Sequence, residues 1–476
     1  MKLLGLYEGL LFVNLLSFNS NGQAILVKPY IQPGNAGNFS KEEKVLIWQT
    51  DSTVGNFIVE YTPGQFAVDS KISKAKISSN TLQLNGSHTK LYRAGLKKLL
   101  LGKSYSYRVM LNEKVIAQNT FQSRHKDSNT RFVVFGDLGK GTKEQSAIAQ
   151  QVWKQKPQFV LVAGDVVYTR GLESEYRNNF FPYYNSVADS EIGAPLMGTI
   201  PFYNVVGNHD IYGSDLDKYP DGLAYFYYND LPLNAPMPKL TVEAGGTPER
   251  VQSFKKNTSP RYPGMTNYSF DYGNVHIVCL DANTYVNPLD PGLVEWMRTD
   301  VKSSKADWKL VAYHNPAFNA SKAHYDDQWM RLLDPLFQEL RIDLVLTGHV
   351  HNYQRTVPLK FKPKMIEDKT MYLISKEGKV DGEFALDQKY DGLTNTKPDG
   401  IIYIVTGAGG APLYDPELTD NPILWKHEPP ENWAPYTVKL ISNKHSFTLI
   451  ETAKGTLTLK QLDSKGETLD SISITK

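Results

Sequence analysis

The chain has 476 residues, with 52 Lys and Arg against 50 Asp and Glu and 41% apolar residues. At roughly 100–200 residues per domain, that length suggests two or three domains with a sizeable core. The near-neutral balance leaves nucleic-acid binding by bulk electrostatics without support, and the lone cysteine, Cys279, excludes an intrachain disulfide and a cysteine-ligated metal cluster.

Residues 1–24 read as a signal peptide. Lys2 gives an early positive charge, Leu10–Leu16 is apolar apart from Asn14, and Gly22-Gln23-Ala24 has a small-x-small cleavage pattern, although Glu8 lies close to the apolar stretch. The competing reading is an ordinary N-terminal strand or arm. No later apolar run approaches the ~20 residues that span a bilayer. The expectation is a secreted, periplasmic or extracellular protein with no membrane span, large enough to do without disulfides.

From residue 27 to residue 124 short β-branched and aromatic runs recur: Val45–Gln49, Asn56–Tyr61, Leu82–Leu84, Leu91–Ala94, Ser104–Met110 and Val115–Phe121. Turns such as Pro63-Gly64 and Asn85-Gly86 separate them, which predicts a small β-sandwich. It has no clustered His, Asp or Glu, so its expected role is structural or recognitional. Polar residues 125–130 mark a linker.

Beyond it, apolar runs alternate with helical stretches: Phe132–Phe135, Phe159–Ala163, Phe202–Val206, Val275–Leu280, Lys309–Tyr313, Leu344–Leu346 and Ile401–Val405. Continuous apolar strands suit sheets buried on both faces. Lys143–Lys154 is predicted as a helix with a capping box from Thr142 and Gln145, and Asp327–Leu340 as another. This alternation predicts an α/β (α+β) domain over residues 130–476. Residues 215–261 and 358–400 read as insertions. The tail from about residue 437 alternates like strands.

Five of these strands end in ligand-type residues. The strand ends are Gly136-Asp137-Leu138-Gly139, Gly164-Asp165-Val166-Val167-Tyr168, Gly207-Asn208-His209-Asp210, Tyr313-His314-Asn315 and Gly348-His349-Val350-His351. Taken alone, each has an ordinary reading: an Asp after a strand caps a helix, a lone His fills a core, Asn-His-Asp makes a turn. Together they fall at the carboxyl edge of the sheet, where open α/β sheets bind ligands. Two carboxylates, a phenol, an amide oxygen and three imidazoles without a thiolate suit iron, manganese or zinc. A bridging carboxylate can hold two ions ~3.5–4 Å apart, an arrangement suited to phosphate chemistry.

In order and spacing, the blocks GDLG, GDVVY, GNHD, the His at Tyr313-His314-Asn315, and GHVH resemble the purple acid phosphatases. The resemblance covers about residues 28–450. It implies a fibronectin type III-like sandwich followed by a four-layer αββα metallophosphoesterase domain. It further implies Fe(III) held by Asp137, Tyr168 and His351, and a divalent zinc, iron or manganese ion held by Asn208, His314 and His349, with Asp165 bridging. The implied activity is hydrolysis of small phosphomonoesters at acid to neutral pH by a metal-bound hydroxide. Gly139 stands where other metallophosphoesterases carry a ligand His, and Tyr168 replaces that ligand. His209 matches the phosphate-stabilising histidine of the family, with Asp210 expected to orient it. His324, ten residues after His314, is expected to protonate the leaving oxygen. His276 starts a strand and reads as structural, while His88, His125, His427 and His445 have no constellation around them.

A disulfide-linked dimer is not expected. Asn257 and Asn267 fit the glycosylation pattern. Two other readings stay open: a phosphodiesterase or nucleotide pyrophosphatase on the same site, and a non-catalytic protein that binds surfaces through its sandwich.

Overall fold

A computed structural model describes residues 24–476 apart from residues 54, 85, 189, 322, 366–371, 377 and 415–433. Most of the expected signal peptide (residues 1–23) and His427 lie outside the described residues.

The first eight strands are β1 (Ile25–Gln32), β2 (Lys44–Asp51), β3 (Phe57–Pro63), β4 (Ser73–Lys74), β5 (Lys76–Leu84), β6 (Ser87–Leu96), β7 (Ser104–Leu111) and β8 (Lys114–Gln122). They pair as two antiparallel sheets, β1-β2-β6-β5 and β4-β3-β7-β8. Alternating residues turn inward, as period-two patterning dictates. Trp48 stacks on Tyr92 at 5.1 Å with Phe57 tilted against both.

The remaining strands are β9 (Thr130–Phe135), β10 (Phe159–Val162), β11 (Phe202–Asn204), β12 (Tyr268–Tyr272), β13 (Val275–Cys279), β14 (Trp308–Ala312), β15 (Leu344–Thr347), β16 (Tyr353–Thr356), β17 (Leu359–Pro363), β18 (Gly382–Leu386), β19 (Ile402–Thr406), β20 (Thr437–Ile441), β21 (Ser446–Ala453), β22 (Thr456–Asp463) and β23 (Thr468–Thr475). They build a six-stranded sheet, β11-β10-β9-β21-β22-β23, and a seven-stranded sheet, β12-β13-β14-β15-β19-β16-β20. The β9–β11 strands run parallel, as do β13, β14, β15 and β19. The insertion at 358–400 contributes the hairpin β17–β18.

The two sheets face each other. Tyr203 of the first stacks on Phe270 of the second at 3.7 Å, and Phe159 packs on Tyr272 at 4.8 Å. The helix Lys143–Lys154 covers the first sheet through Ile148, Ala149 and Val152. Helices Pro291–Ser303 and Asp334–Leu340 cover the second. The apolar runs are continuous because one face of each strand meets helices and the other meets a sheet.

Two local expectations change. Thr142 accepts the Gln145 N–H, but the Gln145 side chain accepts from Lys140 and Gly141 instead of returning to Thr142, so only half of the capping box forms. The helix expected over 327–340 divides into a 3₁₀ turn at Trp329–Leu333 and an α-helix at Asp334–Leu340. Pro335, in the first turn of the latter, disfavours continuous α-helix through the residue before it.

The sandwich is locked to the larger domain by buried charge. Arg124, just before the predicted linker, pairs with Glu42 at 2.6 Å and donates to Gly37 and Asp271 carbonyls. Gln49 donates to Glu173 across the same seam at 2.9 Å. The Asn267 sequon lies inside the fold: its side chain is buried and accepts the Asp281 N–H, which leaves no room for a glycan.

His276 is wedged between Asp271 (2.8 Å) and Asp300 (3.0 Å), tying the helix Pro291–Ser303 to the sheet, while Ser304 donates to the same Asp271. Burial opposes its charge, but the two carboxylates outweigh that and push its pKa up to about 9. A raised folded-state pKa stabilises fully below the unfolded value near 6.5 and is lost as pH rises through about 9. Urea unfolding should therefore show wild type losing on the order of 3 kcal/mol between pH 6.5 and 9.5 relative to His276→Gln. Parallel pH profiles for the two proteins would contradict this.

Candidate metal centre

The ligand-type residues leave their strands in tight turns. Asp137 (φ 61°), Asp165 (φ 51°) and His349 (φ 68°) hold left-handed backbone, as does His324 (φ 58°). Such backbone costs of order 1–3 kcal/mol at a non-glycine residue and persists where the surroundings over-determine it. Two of these turns are tied to other turns of the site. Asp137 Oδ2 accepts the His349 N–H (2.8 Å), and Asp165 Oδ1 accepts the His209 N–H (2.9 Å).

The seven side chains form two adjoining groups. In one, the Tyr168 hydroxyl lies 2.9 Å from Asp137 Oδ1 and 3.0 Å from His351 Nε2, with His351 Nε2 3.4 Å from Asp137. In the other, His314 Nε2 lies 3.1 Å from Asn208 Oδ1 and 3.2 Å from His349 Nδ1. Asp165 faces both. Its Oδ1 is 3.3 Å from His314 Nε2, and its charge helps push the Tyr168 phenol upward, after burial and Asp137.

The donor chemistry fits cations. His314 Nδ1 is 2.8 Å from the Ala163 carbonyl, and His351 Nδ1 is 2.6 Å from the Pro412 carbonyl. Each N–H donates outward, so each Nε2 lone pair turns inward. Donors about 2.1 Å from a shared ion and at right angles sit about 3.0 Å apart, the spacing seen here. Buried His349 Nε2 makes no hydrogen bond among the described residues, though Asp327 Oδ2 lies 3.4 Å away. Without a cation, protons substitute for it: burial disfavours charge on His314, but Asp165 and Asp137 outweigh burial and raise it to about 9. Burial and the neighbouring His314 lower His349 to about 4.

His209 stands at the mouth, its ring 4.4 Å from that of Tyr168 and its Nδ1 2.8 Å from the Thr169 carbonyl. His324 lies over His349 with ring centroids 3.9 Å apart. Asp210 departs from expectation. Its carboxylate turns away from His209 and accepts the Val166 N–H (3.0 Å) and Gly207 N–H (2.9 Å). It is fully buried and braces two of the ligand turns against each other by satisfying their N–H groups.

Three residues escaped the sequence reading. Asp327, placed by the pattern in a helix, instead meets His324 Nδ1 at 3.2 Å, and the two histidines hold its carboxyl below the usual range against the effect of burial. The His-x-x-Asp spacing was the available signal. Tyr212 accepts the Asn208 Nδ2–H at 2.8 Å, and Tyr414 stacks on His351 with centroids 4.2 Å apart. A tyrosine among 28 carries no signal of its own.

Gly139 explains the Tyr168 exchange. The backbone there bridges to Val167, and the Tyr168 N–H donates to the Gly139 carbonyl at 3.0 Å. A Cβ at 139 would lie 2.1 Å from the Val166 carbonyl oxygen, so no side chain fits, and the phenol from the neighbouring turn takes the inward place.

Residues 130–353 match the calcineurin-like phosphoesterase family. Probable inactive purple acid phosphatase 9 of Arabidopsis thaliana is 27% identical over 298 residues, 56% of this chain and 42% of that protein. Purple acid phosphatase 23 of the same plant is 26% identical over 265 residues, 50% of this chain and 51% of that protein. The chain is a purple acid phosphatase homologue with a calcineurin-like phosphoesterase domain. It spans about half the length of these two relatives. A solved purple acid phosphatase from yellow lupin seeds shares the fold, with TM-score 0.61 at 17% identity over 94% of this chain and 74% of that one. The N-terminal sheets fit the fibronectin type III-like domain that the family resemblance implies.

Gly139→Ala should lower the unfolding free energy by about 1–3 kcal/mol, the cost of forcing a methyl into a filled site. Denaturant titration measures this, and an unchanged midpoint would show that the turn has slack the contact distances do not suggest.

Proposed function

We propose that this homologue is a phosphomonoesterase working with a ferric ion and a divalent zinc, iron or manganese ion. Asp137, Tyr168 and His351 would hold the ferric ion, Asn208, His314 and His349 the divalent ion, and Asp165 would bridge. When bound, such a pair supplies Lewis acidity to the phosphoryl oxygens and lowers the pKa of water. One observation carries the reading: seven donors from five strand ends converge with His314 and His351 each tied outward to a carbonyl and turned inward at the other nitrogen. One relative is named as probable inactive, so the activity is argued from the donors that this chain itself presents.

The chain's own groups divide the remaining work. A protonated His209 donates Nδ1–H to the Thr169 carbonyl, leaving Nε2–H for a phosphoryl oxygen. His324, oriented by Asp327 at Nδ1, presents Nε2 on the opposite side to protonate the leaving oxygen. Asp165 is held well below the usual carboxylate range by His314 although burial pushes the other way, so it stays an anionic ligand. Asp137 accepts from both Tyr168 and the His349 backbone, which fixes the phenol in the group with Asp137 and His351.

The metal-loaded protein should carry iron and absorb in the visible through the Tyr168 phenolate. Tyr168→Phe should lose that band, and His209→Ala should lower kcat/KM on a simple phosphomonoester by roughly 10²–10⁴-fold with metal content unchanged. A colourless, iron-free wild type would remove the ferric assignment. Full activity in His209→Ala would remove its role. We also infer export directed by residues 1–24. N-terminal sequencing of the secreted protein should begin near Ile25, and retention of Met1 would contradict it.

A further inference from the structure

We propose that Tyr212 and Tyr414 form an aromatic clamp at the mouth of the metal centre that selects phosphomonoesters whose leaving group carries a planar aromatic ring. The inference rests on the phosphatase reading above and specifies its substrate class.

Both tyrosines sit beside donors of the site, on different sides of it. Tyr212 follows the Asn208-His209 turn. Its ring meets that of His209 edge-on at 4.8 Å and 66°, and its hydroxyl accepts from Asn208. It remains 51% exposed, so its ring is open to contact from solvent. Tyr414 follows the Gly407–Gly410 turn after β19. It stacks flat on His351 (4.2 Å, 9°), and its hydroxyl lies 3.5 Å from His324 Nε2.

The placement of the two histidines orients the substrate. His209 faces the phosphoryl group and His324 the leaving oxygen, so the group attached to that oxygen emerges between Tyr212 and Tyr414. Rings there offer large, rigid, apolar faces with their hydroxyls tied down, which favours offset or edge contact with another ring over contact with a flexible alkyl chain.

A matched pair of esters isolates the effect. Benzyl and cyclohexylmethyl phosphate share an alkyl leaving oxygen and a similar size, and differ in planarity and π-character. The metal-loaded wild type should prefer benzyl phosphate by roughly two- to tenfold in kcat/KM, the range of a single aromatic contact. Tyr212→Leu should bring that ratio close to one, whereas Tyr212→Phe, which keeps the ring and loses the Asn208 contact, should preserve it. A structural role would lower both esters equally and leave the ratio alone. A wild-type ratio of one, or a ratio that Tyr212→Leu leaves unchanged, overturns the clamp and leaves the phosphatase reading standing. Hydrolysis of neither ester, nor of p-nitrophenyl phosphate, by the metal-loaded protein overturns the phosphatase reading and the clamp with it.

Discussion

Asp137 and Asp165 are fully buried carboxylates at the ends of adjacent parallel strands, and most of the site is arranged around the cost of keeping them there. A buried anion needs charge or hydrogen bonds in return. Backbone N–H groups of His349 and His209 supply part of this, and His314 supplies more. The turns that aim those N–H groups require left-handed backbone at Asp137, Asp165 and His349, and they require glycine beside it. At Gly164 (φ +90°) a Cβ would meet His314 Nδ1 at 2.3 Å. The remaining imbalance is what a cation would neutralise.

The edge of the sheet was legible in the sequence because strands and ligand turns alternate in register. An apolar run of four to six residues announces a strand buried on both faces, and Gly followed by Asp, Asn or His at its end announces a turn that needs close backbone approach. All seven donors named from those turns lie in one pocket. The pairing of sheet against sheet was less legible, since the same apolar runs would suit strands covered by helices on both faces. Only contacts such as Tyr203 on Phe270 distinguish the two.

Residues that act through partners distant in sequence were hidden. Asp210 adjoins His209 in the chain, and neighbours along a chain invite pairing. In a turn, however, successive side chains diverge, and Asp210 is drawn to the N–H groups of Val166 and Gly207. Asp327 shows the converse. A residue that looks like the start of a helix lies instead beside His324 and His349, before the 3₁₀ turn at Trp329–Leu333 and the α-helix at Asp334–Leu340. Tyr414 reaches His351 across a separation of 63 residues, which no local pattern encodes.

The Gly139–Tyr168 exchange unites these threads. A histidine ligand at 139 needs room for its Cβ, and therefore a first turn set back from the second. Here the two turns touch through the Gly139–Val167 bridge, which leaves no room for any side chain at 139 and brings the Tyr168 ring over the pocket instead. From the second turn, the Tyr168 hydroxyl reaches Asp137 and His351 together. A phenolate is a hard anionic donor and suits a trivalent ion better than an imidazole does. Under the proposed ferric assignment, the closeness of two backbone turns at Gly139 is what puts a phenol at the first position.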